Sequence, residues 1–238
     1  KIYTLAVKAK RDGEALRALT RQIVLESVVE GNRPGPRVGR LQEEISKAPA
    51  SLKPMLRVVL AQWYWQYYSR NKWRFINRSA TEGTDDKDFT TWDLRRLFRE
   101  IDTLYRDILK DEAVLKTIPV STYAEFLETG NMPAELRPTL YDFAAFEALD
   151  FYTSEEQAGA QPEDAFVIEA DSDALAPAAQ FRRYNPDTTD VDSPKLRALR
   201  LYQDVLSLHR DDKNRDDSLD ADLQRLRSLR EKKHREAL

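Results

Sequence analysis

Glu147 is the carboxylate best placed for acid–base chemistry. On a helix it shares a face with Leu140, Ala144, Ala148 and Phe151. Apolar surroundings disfavour the charged form of a carboxyl group and can turn it into a general acid. No second carboxylate stands at a spacing that would complete a glycosidase-like pair. We therefore expect Glu147 to form an ion pair, with Arg74 or Arg78 as partner. The two histidines, His209 and His234, fall in different expected helices, and neither belongs to an H-E-x-x-H pattern. His209 is expected at a helix C-terminus, where an imidazolium complements the macrodipole. Asp85, Asp86 and Asp88 form one acidic group, and Asp187, Asp190 and Asp192 another. Neither carries the loop glycine and closing glutamate of a calcium hand, so both are expected as solvated or helix-capping carboxylates. Cysteine is absent, which removes a thiol nucleophile and thiolate metal ligation. Neither a glycine-rich phosphate loop nor a nucleophile elbow is present. The expectation is a protein that is not an enzyme, with no catalytic, cofactor-binding or metal-ligating residue and no cofactor.

The other concentration of side chains that could meet a ligand is aromatic. All four tryptophans, Trp63, Trp65, Trp73 and Trp92, lie within one stretch, with Tyr64, Tyr67, Tyr68, Phe75 and Phe89 among them. So much rigid apolar area marks either a core or a binding cleft. Leu56, Val59, Leu60, Trp63 and Tyr67 make one stripe at helical spacing, and Met55, Val58, Trp65 and Tyr68 make a second beside it. A helix apolar on two sides is central, so the rings are expected to face inward.

The elements that must position these residues read as helices. Residues 1–30 pattern as a helical hairpin, with Gly13 as its turn. A loop at 31–36 leads to a short helix over 38–47. The aromatic helix starts near Ser51, with Pro54 in its first turn. Thr90 and Asp93 have the spacing of a capping box before Leu94, Leu97, Phe98, Ile101, Leu104, Tyr105 and Ile108. Thr122 with Glu125 suggests a further cap, with Gly130 ending that helix. Pro138 is expected to open a helix running to about Tyr152. Residues 153–192 are weakly patterned, with short helices around 163–166 and 174–183. Ser193 and Pro194 read as N-cap and first residue of the next helix. The last helix starts near Asp217 and presents Leu219, Leu223 and Leu226. Its basic stretch from Arg225 to Arg235 is expected to be a solvated face.

The fold class is therefore all-α, an irregular multi-helix bundle with helical-hairpin, tetratricopeptide-like character. Seven glycines in 238 residues leave little for a turn-rich β fold. We expect one helical domain over 1–238, subdivided into an N-terminal hairpin (1–48), an aromatic core bundle (49–152), an irregular connection (153–192) and a C-terminal hairpin (193–238). A net charge of −3 with intermixed signs gives no reason to expect nucleic acid as partner. No apolar run approaches the length of a membrane span. The chain opens and closes inside expected helices, and we read it as a piece of a longer protein.

Several short motifs carry a resemblance. In order they are Ala61 to Trp65, Asn71 to Phe75, Asp88 to Leu94, Arg137 to Phe143, Phe151 to Gln157 and Asp192 to Leu196. Together they resemble the N-terminal helical region of very large bacterial alpha-2-macroglobulin-like proteins, over about residues 50–225. The resemblance implies a non-catalytic scaffold or protein-interaction domain in a periplasmic or cell-surface chain that traps or inhibits proteases. The partners would be other domains of the same parent chain, and proteases for the parent. The thioester used by some such proteins needs a cysteine, so no reactive site of that kind maps onto these residues. Two alternatives stand beside this reading. One is a free-standing helical-repeat module that binds a peptide or protein. The other is a glycan-binding or hydrolase domain that uses the aromatic cluster and Glu147.

Overall fold

The computed structural model describes residues 1–76, 88–127, 136–160, 165–169, 171–212 and 216–236, with side chains described as far as 229. The described residues are helical, with no strand among them and one isolated bridge between Pro119 and Thr139. The all-α expectation is met. The α-helices are α1 (Ile2–Lys8), α2 (Asp12–Val29), α3 (Pro34–Lys47), α4 (Lys53–Arg70), α5 (Lys72–Ile76), α6 (Leu94–Leu109), α7 (Glu112–Leu115), α8 (Leu140–Thr153), α9 (Ala178–Phe181), α10 (Pro194–Leu208) and α11 (Asp216–Glu236). None of the described helices is long and apolar enough to cross a membrane. Contacts group the chain into two compact units, residues 1–131 with 139–144, and residues 132–138 with 145–238. The first joins the expected N-terminal hairpin to most of the expected aromatic bundle.

In the first unit α1 and α2 pair as a hairpin, and α2, α3 and α4 pack in succession. The hairpin turn does not use Gly13. Lys10 takes the left-handed conformation there (φ 55°), just past the end of α1. Gly13 lies buried inside α2. A Cβ built on it would strike the Glu125 carboxylate and stand 3.1 Å from the Thr122 carbonyl oxygen and 3.3 Å from the Tyr123 Cα. The glycine is required by the close approach of another backbone. Gly13 stands in the first turn of α2, where the usual gain from glycine to alanine, up to about 1 kcal/mol inside a helix, is smaller. Here Gly13→Ala is expected to lower the urea midpoint instead, because a side chain can move aside and a backbone segment cannot.

α4 forms the centre of this unit. Met55, Leu56, Val58, Val59, Leu60, Ala61, Trp63, Tyr64, Tyr67 and Tyr68 are all buried; of the paired stripes only Trp65 is half-buried. Its main helical neighbours are α3 and α6, and the residues of α8 divide between the two units. α6 buries Leu97, Phe98, Ile101, Tyr105 and Ile108. Its start corrects one expectation. Asp93 is itself the N-cap, accepting from the Arg96 backbone N–H at 2.7 Å, while Thr90 sits in a 3₁₀ turn over Phe89–Thr91. The reciprocal capping box occurs instead at α8. The Thr139 N–H donates to Asp142 Oδ2 at 3.0 Å, and the Asp142 N–H donates to Thr139 Oγ1 at 3.3 Å. α8 accordingly begins after Thr139 and not at Pro138. Thr122 lies in a 3₁₀ turn (Val120–Tyr123) and not at the head of an α-helix, and Gly130 lies outside the described residues.

The second unit is organised by α10 and α11. Ser193 caps α10, accepting from the Leu196 N–H, with Pro194 first in the helix. Gln203 Nε2 donates to the carbonyls of Phe181 at 2.8 Å and Tyr184 at 2.7 Å, fixing the end of α9 on α10. The expected helix over 174–183 is broken, because Ala176 and Pro177 are extended between a 3₁₀ turn at Asp173–Leu175 and α9. α11 departs furthest from expectation. Leu219 and Leu223 are exposed, and the buried positions are Asp217, Ala221 and Arg225. The helix turns a polar and small face inward because its charged groups find partners there.

Candidate functional site

The aromatic segment is a packed hub. The Tyr64 ring meets Phe89 edge-on at 5.0 Å and Trp92 at 5.8 Å. Tyr67 meets Phe89 at 4.9 Å, and Tyr68 meets Phe75 at 5.4 Å and Phe98 at 5.0 Å. Trp65, half-buried, closes the series on Phe98 at 5.7 Å. These edge and tilted contacts tie α4 to α5, to the 89–91 turn and to α6, each adding about 0.5–1.5 kcal/mol beyond burial. The Tyr64 and Tyr67 hydroxyls are satisfied locally. Gln42 Nε2 donates to the Tyr64 hydroxyl at 3.1 Å, and Arg74 donates to the Tyr67 hydroxyl at 3.1 Å. Trp73 is the exception: it is 70% exposed on α5 and belongs to no such packing. The expectation that the rings face inward holds for Trp63 and Trp92 and fails for Trp73, because α5 is a short separate turn and not a continuation of α4.

Glu100 borders this hub from α6. Burial, only partly offset by Arg96, raises its carboxyl pKa above the ordinary value of 4.5. The folded chain therefore holds this proton to higher pH than the unfolded chain does. The resulting stability is complete below the unfolded value and is lost as pH rises through the folded value. Glu100→Gln is accordingly expected to raise the urea midpoint at pH 7, and to raise it less at pH 4.

The candidate acid–base residues do not assemble into one centre. Glu147 is half-buried on α8. Of its two expected partners, Arg78 lies outside the described residues and Arg74 is bonded to Tyr67. Asp85 and Asp86 lie outside the described residues, and Asp88 caps the 89–91 turn through the Thr90 N–H at 3.0 Å. Asp190 accepts from the Phe166 N–H at 3.0 Å, and Asp192 pairs with Arg197 at 2.6 Å. These two carboxylates serve separate structural partners. The side chain of His234 is not among those described.

His209 is the buried C-cap of α10, as its position in the sequence suggests. Its Nδ1 stands 2.7 Å from Asp212 Oδ2 and 3.6 Å from Asp217 Oδ2. The three residues offer ligand atoms within 4.8 Å of one another, a set that a metal ion could use. The sequence reading missed this trio because Asp217 reaches it only when α11 folds back on α10. The imidazole between two carboxylates also serves as a hydrogen-bonded clasp for that turn.

A second feature escaped the sequence reading. Between α2 and α4 runs a groove of about 560 Å³, lined by Arg21, Val24, Leu25, Val59, Trp63 and Phe126 among others. Val24, Leu25, Val28 and Val29 of α2 are exposed beside it. The Arg37 guanidinium lies over the Trp63 ring, 4.9 Å from its centre. Burial and the neighbouring Arg70 lower the Arg37 pKa. The available signal was that α2 carries apolar residues around more of its circumference than one core stripe needs. No protein-family profile, curated protein or solved structure matches this chain.

Proposed function

We propose that this chain is a non-catalytic scaffold and protein-interaction domain. The observation that carries the reading is the aromatic hub: rings that would line a glycan cleft face one another inside the first unit, with Tyr64 wholly buried. We further propose that the parent is a bacterial macroglobulin-like protein of the periplasm or cell surface that traps proteases. The ordered motifs from Ala61 to Leu196 support this parentage. The coding sequence after Leu238 tests it directly. Repeated β-sandwich patterns are expected there, and an immediate stop codon would refute the parentage and leave a free-standing helical module. With the full chain in hand, a trapped protease should lose activity on protein substrates and keep it on small chromogenic ones. Unchanged cleavage of both would refute the trapping role.

A further inference from the structure

The groove between α2 and α4 combines three properties. Its lining is apolar, with Val24, Leu25, Val59, Trp63 and Phe126. The groove side of α2 carries Arg21, Val24, Leu25 and Val28 at i, i+3, i+4 and i+7, and Leu25 and Val28 are 65% and 57% exposed. Soluble proteins rarely leave such a contiguous stripe open without a use for it. Three arginines stand on or near it: Arg21 lines it, Arg37 lies over the Trp63 ring, and Arg70 neighbours Arg37. Among the described residues, Arg21, Arg37 and Arg70 have neither a carboxylate within 4.0 Å nor a side-chain hydrogen bond, and the Arg37 Nε is buried without an acceptor. Some other arginines of the first unit do have carboxylate partners. Arg11 is paired with Glu14, Arg40 with Glu44, and Arg106 with Asp102. An apolar channel beside idle guanidinium groups is complementary to apolar side chains flanked by carboxylates.

We propose that this groove docks an acidic amphipathic helix of a partner protein. The partner's apolar stripe would lie on the exposed Val24, Leu25 and Val28, with the buried Val59 and Trp63 as the floor of the groove, the arrangement by which a helix seats in a groove between two others. Its flanking Glu or Asp side chains would supply acceptors to Arg21, Arg37 and Arg70. Arg37 is held for this by its stacking on Trp63, which restricts the guanidinium before the partner arrives. The proposal rests on the interaction-domain reading and is independent of the macroglobulin parentage.

Fluorescence anisotropy with a labelled designed helix of about 18 residues, leucine at i, i+3, i+4 and i+7 and glutamate on both flanks, tests it. The 238-residue chain is expected to bind this peptide and to bind its lysine-for-glutamate counterpart at least about tenfold more weakly. Leu25→Asp, a change at an exposed position, should weaken binding at least about tenfold. The double variant Arg21→Glu/Arg70→Glu should reverse the preference between the two peptides. Equal binding of both peptides, or no effect of Leu25→Asp, would overturn the proposal. Binding to phosphatidylglycerol vesicles without binding to the acidic peptide would also overturn it, by assigning the face to a membrane. So would dimerisation in light scattering that Leu25→Asp abolishes. The peptide assay is indifferent to the coding sequence after Leu238, so failure here and failure of the parentage are read separately.

Discussion

Replacing Arg225 with alanine is expected to destabilise the second unit by about 3–5 kcal/mol, the cost of breaking a buried charged network from one side. The Arg225 side chain is fully buried. Its Nη1 donates to the Ala174 carbonyl and its Nη2 to the Ala176 carbonyl, the latter at 3.0 Å. Nε and Nη2 both reach Asp222 Oδ1, at 2.9 and 2.6 Å. The guanidinium also lies over the Phe181 ring, 4.2 Å from its centre. One side chain thus pins α11 to the segment before α9. Removing it leaves two carbonyls and a carboxylate without their donor, and each unsatisfied buried group costs about 1–3 kcal/mol. Arg225→Met, which keeps the aliphatic volume, should recover only a small part of the loss. Urea denaturation followed by circular dichroism, with hydrogen exchange to locate the change, measures the effect. A loss under about 1 kcal/mol in both variants would show that the network is dispensable.

The second large effect belongs to Tyr64. It is wholly buried and touches both Phe89 and Trp92. Tyr64→Ala opens a cavity where three elements meet and is expected to cost about 3–5 kcal/mol. Tyr64→Phe keeps the ring and loses only the hydrogen bond from Gln42, so about 1 kcal/mol is expected. The ratio between the two variants separates ring packing from the hydroxyl. If Tyr64→Phe cost as much as Tyr64→Ala, the hub would be held by its polar tips and not by its rings.

These two residues also mark how far the sequence could be read. Tyr64 belongs to neither apolar stripe, but it sits in a helix apolar on two sides, and such a helix reads as central. The same holds for α6 and for the Ser193 cap of α10, where the signals lie within one or two turns. Arg225 shows the opposite case. Its neighbours along α11 alternate leucine with charge, so it reads as part of a solvated face. What buries it is a pair of carbonyls about 50 residues earlier in the chain, in a stretch with little pattern of its own. Gly13 shows the same limit. Glycine beside an aspartate suggests a turn, but the constraint comes from a backbone more than a hundred residues further on. The groove was invisible because exposure of Leu25 and Val28 is a property of what does not cover them. The His209 trio likewise depends on how α11 returns along α10.

Acrylamide quenching of tryptophan fluorescence tests the central claim, that the aromatic segment is a structural hub, most directly. Trp63 and Trp92 are buried, Trp65 is half-buried and Trp73 is open to solvent. Trp73→Phe is therefore expected to remove the most strongly quenched component, leaving the partly shielded Trp65 and two buried indoles that resist quenching until the chain is unfolded in urea. If the remaining indoles were quenched as readily as free tryptophan in the native state, the rings would line an open cleft, and the scaffold reading would be contradicted.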